Sequence, residues 1–373
     1  MSSGHGHYYG VVSADVSQDR SLLLVGSQAR LATGHARNAS GGFPNASDGV
    51  LLVHAEQRRV LCGWTLPTDY LHDMLRADDG SYFAIDTTDG VVWRLQLEQE
   101  PPSKRVQRRD AAEDVLLRRI RVLGRYLSIE ASAPPSAART AHANSALVAL
   151  GHLWVLHNNL RRRSQLVLID LSSGKRHPTA IPLGGPNCHS AVFHRGDVLY
   201  LNSSIGGLAR LRADGSQQSL WQAGPQKFAK GLAVVDDVAY FGVSDRSSAI
   251  ARNWAQVDLV AVHVAPSGAG RWLWTRRLPS TGLVNSVSAP HVAPHGCTWR
   301  ACSTRARWST GSSTQAGSDG SEGAADTADD DGKAHLPRRE QWARILGLPA
   351  HEPHAGIVAA PLTALQGVTS RFG

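Results

Sequence analysis

The chain has 373 residues, with 39 Lys and Arg against 31 Asp and Glu and a formal net charge of +8. That length holds one large or two ordinary domains, and a 42% hydrophobic share is enough for a substantial core. Four cysteines (Cys62, Cys188, Cys297, Cys302) make no disulfide framework, and no run approaches the roughly 18 apolar residues of a membrane-spanning helix. The basic residues are scattered, apart from 104–109 and Arg161-Arg162-Arg163, so there is no specific nucleic-acid signal. The opening MSSGHGHYYG has no apolar core of signal-peptide length, and the expectation is a soluble, cytoplasmic protein with no membrane span.

In chain order, residues 1–10 are a polar tail and Ser21–Val25 a short apolar strand. The Gly-, Ser- and Asn-rich stretch 34–49 is a loop. Val50–His54 and Arg59–Trp64 predict a hairpin, and Leu71–Leu95 predicts three strands around turns at 78–80 and 88–90. Residues 99–138 form a charged and Pro/Ala/Ser-rich loop and linker, within which 114–129 suits either a helix or strands. The strand grammar resumes at His142. It is clearest in Cys188–Gly215, where strands alternate with His-Arg-Gly-Asp, Ile-Gly-Gly and Asp-Gly turns, and it recurs over Phe228–Val264 and at Gly282–Val287. Residues 292–373 have a low-complexity composition that buries little apolar surface, so a mostly disordered tail is expected, with a short helix at 338–348.

Units of three or four short strands repeating every 40–55 residues or so are the mark of a β-propeller. Starts near residues 13, 72, 143, 189, 230 and 285 predict an all-β propeller over 11–291, with six blades of four-stranded antiparallel sheets. Counting back from the first turn of each unit aligns Asp73, Asn144, His189, Lys230 and Asn285 at the head of the innermost strands. In a propeller those heads surround the top of the central axis, so this column is the expected ligand-binding surface. Arg246 and Arg252 flank a loop able to reach the same face.

The segments LHDM, HANS, CHS followed by LNSSIGG, and FAKGLAVVDDVAYFGVSDRSSAIARNW resemble a bacterial and algal family of uncharacterised proteins, a domain of unknown function with an NHL-like or quinoprotein-like propeller fold. The resemblance spans residues 20–290 or so and implies the fold without implying an activity.

Two functions suit this column. The first is a binding module that holds an anionic or sugar-like ligand, or a protein partner, through charge-assisted hydrogen bonds from Lys230 and His189. The second is a lactonase-like hydrolase or lyase using one divalent cation, for which His72, Asp73, His142 and His189 are the candidate ligands. Neither assigns a catalytic residue. The Lys230 charge disfavours a second cation nearby.

Overall fold

The computed structural model describes residues 10–16, 22–28, most of 48–97, 116–117, most of 120–247, 255–281, 284, 287 and 338–345. Strands are numbered in chain order. Blade 1 is β1 (Gly10–Val16), β2 (Leu22–Gln28), β3 (Gly49–His54) and β4 (Arg59–Thr65); β8 (Leu116–Leu117) pairs in parallel with β4 as a fifth strand. Blade 2 is β5 (Leu71–Arg76), β6 (Tyr82–Asp86), β7 (Val91–Leu97) and β9 (Ile120–Leu127). Blade 3 is β10 (Ala143–Ala149), β11 (His152–His157), β12 (Arg163–Asp170) and β13 (Ile181–Pro186). Blade 4 is β14 (Cys188–His194), β15 (Asp197–Asn202), β16 (Gly207–Leu211) and β17 (Gln217–Gln222). Blade 5 is β18 (Lys227–Val235), β19 (Val238–Asp245), β20 (Gln256–His263) and β21 (Arg271–Thr281). Helix α1 (Pro135–Ala141) precedes blade 3, and α2 (Arg338–Ile345) lies near the C-terminus.

The innermost strands lie side by side in the order β1, β5, β10, β14, β18, which sets the blades around an axis. Successive side chains of a strand point to opposite faces, so each sheet has two faces to bury. Trp154, Leu156, Leu166 and Leu168 of blade 3 pack on Val198, Tyr200 and Leu211 of blade 4. Phe83, Ile85 and Val92 of blade 2 pack on the other face of blade 3, through Leu153, Val155 and Ile169. Alternate residues of one strand thus serve two interfaces. Equivalent cores join blades 1 and 2 (Val50, Trp64, Leu71, Met74, Leu95) and blades 4 and 5 (Leu199, Leu201, Phe241, Val262).

Turn chemistry sets the hairpins. Arg195 and Gly196 both adopt positive φ, 50° and 84°, as a two-residue turn twisted to match its strands requires. The long spacing from 72 to 143 resolves into blade 2 with a late outer strand. β9 closes that sheet after an insertion and α1 follows it, so the region expected as a loop and linker carries ordered elements. Pro135 at the first helical position starts α1 where a missing N–H costs nothing.

One expectation is corrected. The described residues form five blades, where six starts were counted. A start predicts a blade only if three more strands follow. After Gly282–Val287 the composition changes, and only Val284 and Val287 of that start are described. A Cβ on Gly242 would collide with the Val284 side chain, so the chain leaving β21 crosses the far face of blade 5 at that glycine. The predicted helix is present as α2, and its Trp342 is wholly buried in the core between blades 3 and 4. Among the described residues no helix is long and apolar enough to cross a membrane.

Phe241 is buried between blades 4 and 5. Phe241→Ala should cost about 3–5 kcal/mol, read as a lower guanidinium midpoint, whereas the exposed Val122→Ala should stay within about 0.5 kcal/mol.

Candidate functional site

The polar residues at the top of the blades divide into two groups. The first staples one blade to the next. A carboxylate oxygen of Asp48 in blade 1 accepts from Leu71 N–H at the head of β5 and from Thr68 Oγ1 at 3.0 Å. Thr87 Oγ1, just after β6, donates to Ala143 O at 2.5 Å. Asn144 Nδ2 donates to Cys188 O at 3.0 Å, and Cys188 N–H donates to Ser164 Oγ at 2.9 Å. Ser203 Oγ, just after β15, donates to Ala229 O at 2.5 Å. Apart from the Asp48–Thr68 pair, which joins two side chains, each bond satisfies a backbone group where strands of neighbouring blades meet.

The second group gathers around the axis. The His72 and His142 rings meet edge-on with centroids 5.2 Å apart, and His72 lies 6.4 Å from His189. Tyr70 packs 6.1 Å from His72 and 6.5 Å from His142, while Phe228 meets His189 edge-on at 5.1 Å. These side chains come from blades 2, 3, 4 and 5. Burial holds the His72 imidazole well below its ordinary pKa, and Lys230, His142 and His189 push it the same way against a hydrogen bond to Asn144 O. Burial and then Lys230 bring His142 down to about 4. Lys230 belongs to blade 5 and His72 to blade 2, so its charge acts across the axis.

Local structure places each ring. His142 follows α1 in the left-handed region, φ 49°, and its N–H bonds Ala138 O at 2.9 Å, which ends the helix and turns the imidazole out. His72 falls in the register step between Leu71 and Asp73 and sends Nδ1 to Asn144 O at 2.9 Å. A carbonyl only accepts, so Nδ1 carries the proton and Nε2 is the acceptor nitrogen of the neutral ring. His189 Nδ1 lies 2.9 Å from both Asn187 O and Ser203 Oγ. The Ser203 proton is committed to Ala229 O, so here too Nδ1 is the donor.

The sequence column holds in part. Every innermost strand has a register step near its head: around Val12, His72, Asn144, Ser190 and Gly231. His189 and Lys230 both precede their steps and are equivalent. Asp73 follows its step and Asn144 sits in its own, because one extra residue reverses the alternation of faces. Asp73 Oδ1 accepts from Met74 N–H at 2.9 Å. Asn144 is buried in its staple, and its Oδ1 has no hydrogen-bond partner among the described residues. Arg246 is exposed at the rim of the same face, its N–H on Gln226 O at 2.8 Å and its guanidinium 3.5 Å from Pro225 O. Asn285 and Arg252 lie outside the described residues.

Of the four candidate metal ligands, the three histidines meet as packed rings. Among the described residues no group of three or more His, Cys, Asp or Glu side chains is placed to hold a metal ion. Sequence reasoning missed Tyr70 and Phe228. The signal was present, since each stands two residues before its polar partner, His72 or Lys230, on a strand-like spacing.

No protein-family profile matches the chain, and no curated protein does. Among solved structures it is similar to hydrazine synthase of Kuenenia stuttgartiensis, with 10% identity over 74% of this chain and 67% of that one and a TM-score of 0.42. The Myceliophteria thermophila Cps50 (Swd1) β-propeller domain matches with 10% identity over 74% of this chain and 76% of that one, TM-score 0.43. Virginiamycin B lyase from Staphylococcus aureus matches with 10% identity over 71% and 84%, TM-score 0.40. Likenesses this distant carry nothing about activity, and the propeller architecture rests on the chain's own sheets.

The buried histidines make stability depend on pH. His157 in blade 3 is brought to about 3 by burial and then Arg176. A folded pKa below the ordinary 6.5 leaves more protons on the unfolded chain, so the contribution is complete above 6.5 and is lost as pH falls. His142 alone, near 4, accounts for a loss on the order of 3 kcal/mol at about 1.4 kcal/mol per unit. Urea midpoints should be level from pH 7 to 8 and fall steadily from 6.5 to 4, with a shallower fall in His142→Asn.

Proposed function

We propose that this propeller is a binding module whose ligand seats among Tyr70, His72, His142, His189 and Lys230 at the top of the axis, and that the ligand is a small polyhydroxylated anion such as a sugar acid. The observation that carries this reading is the convergence of the His72, His142 and His189 rings from three blades, with centroids 5.2 and 6.4 Å from His72, beside which the Lys230 charge pushes the His72 and His142 pKa values down. A cation facing neutral imidazoles supplies one charged donor for a carboxylate. The His72 and His189 tautomers make Nε2 the acceptor in each ring, which suits hydroxyl donors on the same ligand. Tyr70, half-buried beside His72 and His142, adds an apolar face against which a sugar ring packs. Arg246 on the rim adds positive charge to the approach.

An anion here also offsets the Lys230 charge, which adds to burial in keeping the His72 and His142 imidazoles neutral. Binding should therefore raise the His72 and His142 pKa values, take up protons and tighten as pH falls from 7 toward 5. A thermal-shift screen of gluconate, galacturonate and citrate against the neutral sugars glucose and galactose tests the reading. At least one anion should raise the Tm by several degrees, with the shift lost in Lys230→Ala, and calorimetry in two buffers of different ionisation enthalpy should register proton uptake. Equal response to neutral sugars, with Lys230→Ala behaving as wild type, would remove the anion site.

A further inference from the structure

The three other interblade cores are built from the sheets and the residues that flank them, whereas the core between blades 3 and 4 also holds a side chain from the far C-terminal region. Trp342 of α2 is 0% exposed. Its ring stands at 90° to Trp154 with centroids 5.0 Å apart, and its indole N–H donates to Gly196 O at 2.6 Å. Leu150 and Phe193 pack against the same cluster. Gly196 belongs to the turn between β14 and β15 and Leu150 to the turn between β10 and β11, so this pocket opens at the end of the propeller opposite the axial histidines.

The pocket has the character of a binding hot spot. Its floor is aromatic, the acceptor for the indole N–H is the turn carbonyl of Gly196, and its walls belong to two well-packed hairpins. The occupant is slight. α2 is eight residues long, too short to persist alone in water. Of its residues whose burial is described, only Trp342 is buried; Glu340, Gln341 and Ala343 are half-buried and Arg344 is exposed. Residues 282–337 join α2 to blade 5, a length whose maximal reach at about 3.3 Å per residue extends past the propeller itself.

We propose that this pocket is a docking site for a tryptophan-bearing helix, filled by α2 of its own chain and open to α2 of a second copy. One deep anchor on a short helix gives an association that dissociates, and a tethered occupant holds the site by effective concentration. Exchange of α2 between copies then joins propellers without any new contact.

The test uses a fluorescein-labelled peptide of residues 337–348 and the full-length chain. Anisotropy should show the peptide binding Trp342→Ala, whose pocket is vacated, at least tenfold more tightly than wild type, and the same peptide carrying Trp342→Ala should not bind. Absence of binding to a Trp342→Ala chain that still unfolds cooperatively would overturn the proposal, as would equal binding to wild type. If Trp342→Ala does not fold, a wild-type chain with a protease site inserted between 315 and 330 decides. After cleavage, the C-terminal fragment should leave on dilution and be displaced by unlabelled peptide. A fragment that stays through both would make α2 a permanent part of the fold and end the proposal.

Discussion

Every blade of this propeller depends on its neighbours to cover its faces. A four-stranded sheet with apolar residues on both sides cannot stand alone in water, and the interblade cores are where the apolar surface goes. β11 illustrates the constraint: Leu153 and Val155 face blade 2 while Trp154 and Leu156 face blade 4. The axial site follows from it. Stacking brings the heads of the innermost strands together, and the heads are where ladder pairing gives out and polar groups gather. Asp48, Thr87, Asn144, Ser164 and Ser203 meet that demand by bonding across blades. The histidines and Lys230 stand beside those staples.

The strands were legible because their turns are. The hairpins at 71–95 and 188–211 fall where Asp-Gly and Arg-Gly turns place them, and the hairpin at 50–64 falls where two apolar runs flank a polar turn. The blade count was not. A start such as Gly282–Val287 looks like an innermost strand whether or not three more follow, and a late strand such as β9 is hidden behind an insertion. α2 was legible as a helix, but its docking was not. A single Trp in a polar tract says nothing about which distant pocket receives it.

At the site, residue types were readable and register was not. Counting from the turns assumes that every strand alternates without interruption. Each innermost strand instead contains one step, and one residue of offset exchanges inside for outside. His189 and Lys230 kept their equivalence because blades 4 and 5 share the same offset, while Asp73 and Asn144 lost theirs. His142 reached the axis by another route, the left-handed end of α1, which no count along strands anticipates.

The short strand β8 has a consequence for how the molecule comes apart. It pairs with β4 at the outer edge of blade 1, and three residues later the chain enters β9 at the outer edge of blade 2. Two blades already joined by a core are thereby laced together at the circumference as well. Blade 1 cannot peel away without pulling on the outer strand of blade 2, so the two should open as one cooperative unit, with amide hydrogens in β3 and β6 exchanging through the same event. The insertion that obscured the repeat also makes the first two blades a single mechanical piece.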